Sequence, residues 1–130
     1  MTSQTSKGQA AGPGKLSAAE AHRRQAAGEL VLVDIRTPGE WLKTGLPAGA
    51  VALTPTGPEF LDQVEAALDG DRTRPLALIC ASGMRSAQLQ MILEARGFTG
   101  VVDVSEGMLG NRSAGPGWIA GGLPIVPYRG

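Results

Sequence analysis

Leu76, Ala77, Leu78 and Ile79 are four consecutive apolar residues, closed on one side by Pro75 and on the other by a Ser/Gly turn. A short strand with no polar alternation is buried on both faces, and such strands belong to parallel sheets covered by helices above and below. A second run of this kind, Leu30 to Ile35, reads as another central strand. Helical patterns alternate with these runs: Ala18 to Ala27, opened by Ser17 with Glu20 three residues on as a capping box; Pro58 to Leu68; and Arg85 to Arg96, with Ala87, Met91, Ile92 and Ala95 inward. With Ala50–Leu53 and Val101–Val104 as further strands, the pattern predicts an α/β domain with a mainly parallel sheet.

Cys80, the chain's single cysteine, follows the first of these strands directly. A loop passing from a parallel strand into a helix turns several backbone N–H groups inward, and the positive end of the helix dipole adds to them, so the loop holds an anion. The thiolate of Cys80 would be that anion, nucleophilic at neutral pH beside Arg85. Ser82 and Ser86 supply hydroxyl donors and Gly83 permits the tight curve. An isolated strand-end cysteine is more commonly an inert core residue; the polar, glycine-containing loop favours the reactive reading.

Ligands of open α/β sheets bind at the carboxyl ends of the strands, which places Asp34 and Arg36 at the same mouth as Cys80. Their expected role is structural support, with Arg36 pairing with Glu40. Thr37-Pro38-Gly39-Glu40 reads as a turn into a short helix, with Trp41 packing inward. Met108 to Gly117 is a long loop with two readings, a wall beside Cys80 that presents Arg112 to an anionic substrate, or a plain surface loop. His22 reads as a solvated position on the first helix. Residues 1–15, rich in Ser, Thr, Gln, Gly and Ala, read as a flexible tail, and residues 16–130 as one domain.

Lys and Arg together number 12, as do Asp and Glu, so no net positive field exists to hold nucleic acid or an anionic membrane. One cysteine excludes an intramolecular disulfide, a Cys-x-x-Cys redox pair and a multi-thiolate zinc site, so an intermediate on Cys80 must be resolved by another molecule. No cofactor is called for. With neither an apolar leader nor a membrane-length apolar run, a cytoplasmic protein is expected.

Cys80-Ala81-Ser82-Gly83-Met84-Arg85-Ser86 resembles the active-site loop of rhodanese-like sulfurtransferases, in which a cysteine is followed by a short Ser/Gly loop, an arginine five positions on and then a serine. Leu30–Arg36 with Pro38, Glu40 and Trp41 is similar to that family's first signature. Leu46–Val51 is similar to its following turn and strand, with a leucine at 46 where the commoner pattern has histidine. Gly107, Trp118 and Gly122-Leu123-Pro124 are similar to its C-terminal signature, so the resemblance runs from about Leu16 to Val126.

The resemblance implies a rhodanese-like three-layer fold and a ping-pong sulfur transfer. Cys80 takes the outer sulfur of a donor such as thiosulfate as a persulfide, and an acceptor such as a thiol, cyanide or a protein removes it. Residues Ala81 to Ser86 form the binding loop, and Arg85 meets the donor's charge. Two alternatives stand beside this: a sulfur-carrier or interaction module without efficient turnover, and a cysteine phosphatase of related fold. The phosphatase loop is longer, with its arginine six positions after the cysteine.

Overall fold

The computed structural model describes residues 14–129. In chain order its elements are β1 (Lys15–Leu16), α1 (Ala18–Ala26), β2 (Val31–Asp34), α2 (Pro38–Thr44), β3 (Leu46–Pro47), β4 (Val51–Ala52), α3 (Phe60–Ala67), β5 (Leu76–Ile79), α4 (Met84–Ala95), β6 (Val101–Val104), α5 (Gly117–Ala120) and β7 (Ile125–Val126). Five strands form a parallel sheet in the order β1-β6-β5-β2-β4, so the strand that leads into Cys80 is central. The α/β reading with a parallel sheet between helical layers holds.

Alternation along β5 divides the core. Leu76 and Leu78 point to the layer that holds α3 and α4, where they meet Val33, Val64, Leu93 and Phe98. Ala77 and Ile79 point to the other layer, against Ala21, Leu32, Met108 and Trp118. Every β5 side chain is fully buried, which is why the strand reads as a continuous apolar run. Cys80 falls on the α3/α4 side, facing the N-terminus of α4.

Several expectations change. Lys15 lies in β1, paired in register with Asp103, so the sheet takes in the last residue of the expected tail; residues 1–13 lie outside the described residues. Leu46–Pro47 and Ile125–Val126 form an antiparallel pair rather than a bare turn and a closing segment. Ser17 caps α1 by accepting from the Glu20 N–H at 3.1 Å, but the Glu20 carboxylate faces Arg23 and Arg24 instead of completing a capping box. His22 is half-buried, edge-on to Trp118 with ring centroids 5.6 Å apart, rather than solvated.

The phase of α4 is also rotated from the expected one. Ser86, Leu89, Gln90 and Leu93 are buried, while Met91 is 70% exposed and Ile92 51%. The reason is polar. Ser86 must face Cys80 and Asp103, and one turn on the Gln90 amide donates to the Val101 and Gly14 carbonyls. Two satisfied polar groups fix the helix rotation against a sequence that is apolar on several sides.

Candidate active site

Cys80 directly follows β5, and α4 begins four residues later with Gly83 as its N-cap. Gly83 carries no side chain to satisfy the free N–H groups of the first turn, and the cysteine sulfur takes that place. Cys80 Sγ accepts from Gly83 N–H at 3.1 Å and from Ser86 N–H at 3.4 Å, and lies 3.4 Å from Ser86 Oγ. The expected nest of inward N–H groups is therefore built from the loop's curve and the helix start together. Cys80 is only 1% exposed, so the sulfur sits inside its loop.

Two glycines make this curve possible. Gly83 has φ 95°, and a Cβ there would stand 2.3 Å from the Ser105 carbonyl oxygen. Gly107 has φ 69°, and its Cβ would stand 2.4 Å from the Ala81 carbonyl oxygen. The chain leaving β6 thus lies directly against the loop, and Met108 and Leu109 donate to the Cys80 and Ala81 carbonyls at 2.8 Å each.

Beneath the loop runs a polar chain that sequence reasoning missed. Ser86 Oγ donates to Asp103 Oδ1, and Asp103 Oδ2 receives Lys15 Nζ at 3.0 Å. Asp103 is buried inside the apolar strand Val101–Val104, and a lone aspartate in such a run is the signal that could have marked it. Asn111 is the second omission: its side-chain amide donates to the Ser82 carbonyl at 2.8 Å and the Ser105 carbonyl at 2.9 Å. The long loop does wall the Cys80 loop, but through Asn111. Arg112 is exposed, and Asn111, Ser113 and Ala114 line the adjoining cavity without it.

The expected Arg36–Glu40 pair is not formed. Arg36 lies flat against Asp34, with Nε 3.0 Å from Oδ1 and Nη2 2.8 Å from Oδ2, and also donates to the Gly45 carbonyl and Thr44 Oγ1. Both side chains are buried, and they brace the end of β2 rather than open to the mouth. Glu40 instead receives both ends of the Arg85 guanidinium, at 2.9 and 2.8 Å. The pair forms because Glu40 lies at the start of α2, where its Oε1 also accepts from Thr37 N–H in a complete capping box.

Arg85 holds the Glu40 carboxyl well below the usual carboxylate range, at about 2, with the hydrogen bond from Thr37 helping and partial burial opposing; Arg85 is raised in turn. A carboxyl depressed on folding stabilises the folded state above its unfolded pKa of about 4.3, and that contribution is lost as the pH falls toward the folded value. The Tm difference between wild type and Glu40→Gln is accordingly expected to be constant from about pH 6 to 9 and to shrink between about pH 5 and 2. A difference that instead changed near neutrality would assign it to another group.

Two cavities flank the start of α4. One of about 850 Å³ is lined by Lys15, Ser82, Gly83, Asp103, Ser105 and Asn111 among others. One of about 610 Å³ is more apolar, with Ile35, Pro58, Leu61 and Ile92 beside Arg85 and Arg96. Both share walls with the Cys80 loop, and neither reaches Sγ itself.

A family model described as the rhodanese-like domain matches residues 17–113. Among solved structures, the chain is similar to the rhodanese-like domain of the Alr3790 protein from Anabaena, at 19% identity over 90% of this chain and 81% of that one, with a TM-score of 0.68. It is similar to the polysulfide-sulfur transferase homodimer of Wolinella succinogenes, at 22% identity over 88% and 78% with a TM-score of 0.66. The human single-domain sulfurtransferase TSTD1 is similar at 21% identity over 74% and 92%, with a TM-score of 0.58. A comparison with curated proteins found no match.

Proposed function

Because the chain belongs to the rhodanese-like domain family, we propose that it is a sulfurtransferase that carries a sulfane sulfur on Cys80 from a donor such as thiosulfate to a thiophilic acceptor. The observation that carries this reading is the seat of Cys80 Sγ, inside a loop whose Gly83 and Ser86 N–H groups point at it. The Cys80 thiolate bonds to the outer sulfur of thiosulfate, the S–S bond of the donor breaks, and sulfite leaves with the electron pair. The resulting persulfide is large and anionic, and N–H groups turned into the loop hold such charge without a metal. An acceptor nucleophile, a thiol or cyanide, then bonds the terminal sulfur and releases the Cys80 thiolate. Arg85, held by Glu40, is the loop's one cation and stands where the charge of the donor and of the leaving anion falls.

One feature favours a second reading. The near-complete enclosure of Sγ suits a carrier loaded and unloaded by a protein partner, without efficient turnover of small molecules. The phosphatase alternative has less support, since Arg85 stands five positions after Cys80 and is engaged by Glu40.

Steady-state assays with thiosulfate and cyanide separate the first two. A covalent intermediate on Cys80 predicts parallel double-reciprocal lines as the two substrates are varied. Intersecting lines would reject the free persulfide form, and a single stoichiometric load with no continued release of thiocyanate would establish the carrier reading.

A further inference from the structure

Among the described residues, each cation that hydrogen bonds tie to the Cys80 loop is already matched by a carboxylate. Arg85 donates to Glu40 through both Nη atoms, and Lys15, reached through Ser86 and Asp103, is paired with Asp103; Arg36, outside that network, is occupied by Asp34. The buried Glu106, just beyond β6, takes no cation; it accepts from the Ala18 and Gly117 N–H groups. Arg112 lies outside the lining of both cavities. Arg96 lines the smaller cavity, but eleven residues along α4 from Arg85, about 16 Å at the helical rise. Among the described residues, the Cys80 loop's own cation, Arg85, is therefore compensated by Glu40.

Glu40 is not a casual surface partner. Exposed ion pairs are weak largely because two long side chains must be ordered to form them. Here the carboxylate is fixed beforehand by the start of α2, where Thr37 N–H and Oγ1 both lie 3.1 Å from Oε1.

Resting on the sulfur-transfer reading, we infer that Glu40 is a specificity-determining residue of the Cys80 site: by neutralising Arg85 it disfavours dianionic donors such as thiosulfate and turns the site toward donors with one negative charge, the alkyl persulfides. With such a donor, Cys80 Sγ bonds the outer sulfur of R–S–S⁻, the donor S–S bond breaks, and RS⁻ leaves with the electron pair. Total charge is the same before and after. No oxidant or reductant is required.

The charge dependence makes the test quantitative. Coulomb energy scales with the charge of the donor, so removing the Glu40 charge changes the barrier for a dianion by twice the amount for a monoanion. The rate factor for the monoanion is then the square root of that for the dianion. Loading of Cys80 by thiosulfate and by 2-hydroxyethyl persulfide is followed by quenched intact-protein mass in wild type and Glu40→Gln. Glutamine keeps a carbonyl acceptor for Thr37, so α2 retains its cap.

Glu40→Gln is expected to speed thiosulfate loading about tenfold and persulfide loading about threefold, with both gains reduced in about 0.5 M salt. Equal factors for the two donors, or slower thiosulfate loading in the variant, would overturn the inference while leaving sulfur transfer intact. A second measurement needs no variant: wild-type thiosulfate loading is expected to be nearly flat between about 0.02 and 0.5 M salt, and a steep fall would show a net cationic mouth and reject the role of Glu40. Failure of both donors to load Cys80 would overturn the sulfur-transfer reading and this inference with it.

Discussion

Cys80→Ser is expected to abolish sulfur loading. Wild type incubated with excess thiosulfate is expected to gain one sulfur, about 32 Da, removed by a thiol chase, while the variant gains nothing. Thiocyanate formation should fall at least about a thousandfold, because the nucleophile of a covalent mechanism has no substitute in the site. The chain has one cysteine, so no neighbouring thiol can take over. The exchange is conservative in the fold. A serine oxygen can accept from the Gly83 and Ser86 N–H groups that now meet the sulfur, so the α4 N-terminus keeps its cap. What is lost is the sulfur nucleophile, since an alkyl hydroxyl in its place is intrinsically far less nucleophilic. Turnover at an unchanged rate in this variant would remove Cys80 from the mechanism.

Sequence made the central part of this site legible because it is local. A short apolar strand, a Ser/Gly loop and a helix adjoin in the chain, and their geometry follows from strand burial and helix-end electrostatics. The same holds for α2, where Thr37, Pro38 and Glu40 announce a helix start within four residues. What stayed hidden depends on residues far apart in sequence. Lys15 and Asp103 are 88 positions apart and meet only because β1 adds to the sheet beside β6. Glu40 and Arg85 are 45 positions apart, and the choice of Arg85 over the nearer Arg36 was settled by Asp34, which takes Arg36 along the β2 edge. The rotation of α4 has the same origin. Its apolar pattern allows several inward faces, and the decision falls to Ser86 and Gln90, polar groups whose partners lie on β6 and at Gly14.

Arg36→Met is expected to be the most destabilising single change near the site. Asp34 and Arg36 are 0% and 1% exposed at their side chains, and the guanidinium supplies the carboxylate with three contacts between 2.8 and 3.2 Å. Removing the cation leaves a buried carboxylate whose one remaining donor is the Arg36 backbone N–H, 3.0 Å from Oδ1. Breaking a buried pair in this way costs about 3–5 kcal/mol, a large part of the roughly 5–15 kcal/mol that holds a domain together. The urea midpoint should therefore drop by at least about 1 M. Removing both charges tests the cause: Asp34→Leu with Arg36→Met abandons no buried ion, so the double variant should lose less than the sum of the two single changes. If Arg36→Met cost less than about 1 kcal/mol, the pair would count as an incidental contact. The cost predicted here also explains the pair's position. β2 lies next to β5 in the sheet, with Asp34 in register with Ile79, the residue before Cys80. A rigid, charge-paired end to β2 holds that edge in place and anchors Gly45 and Thr44 at the end of α2, the helix that presents Glu40 to Arg85.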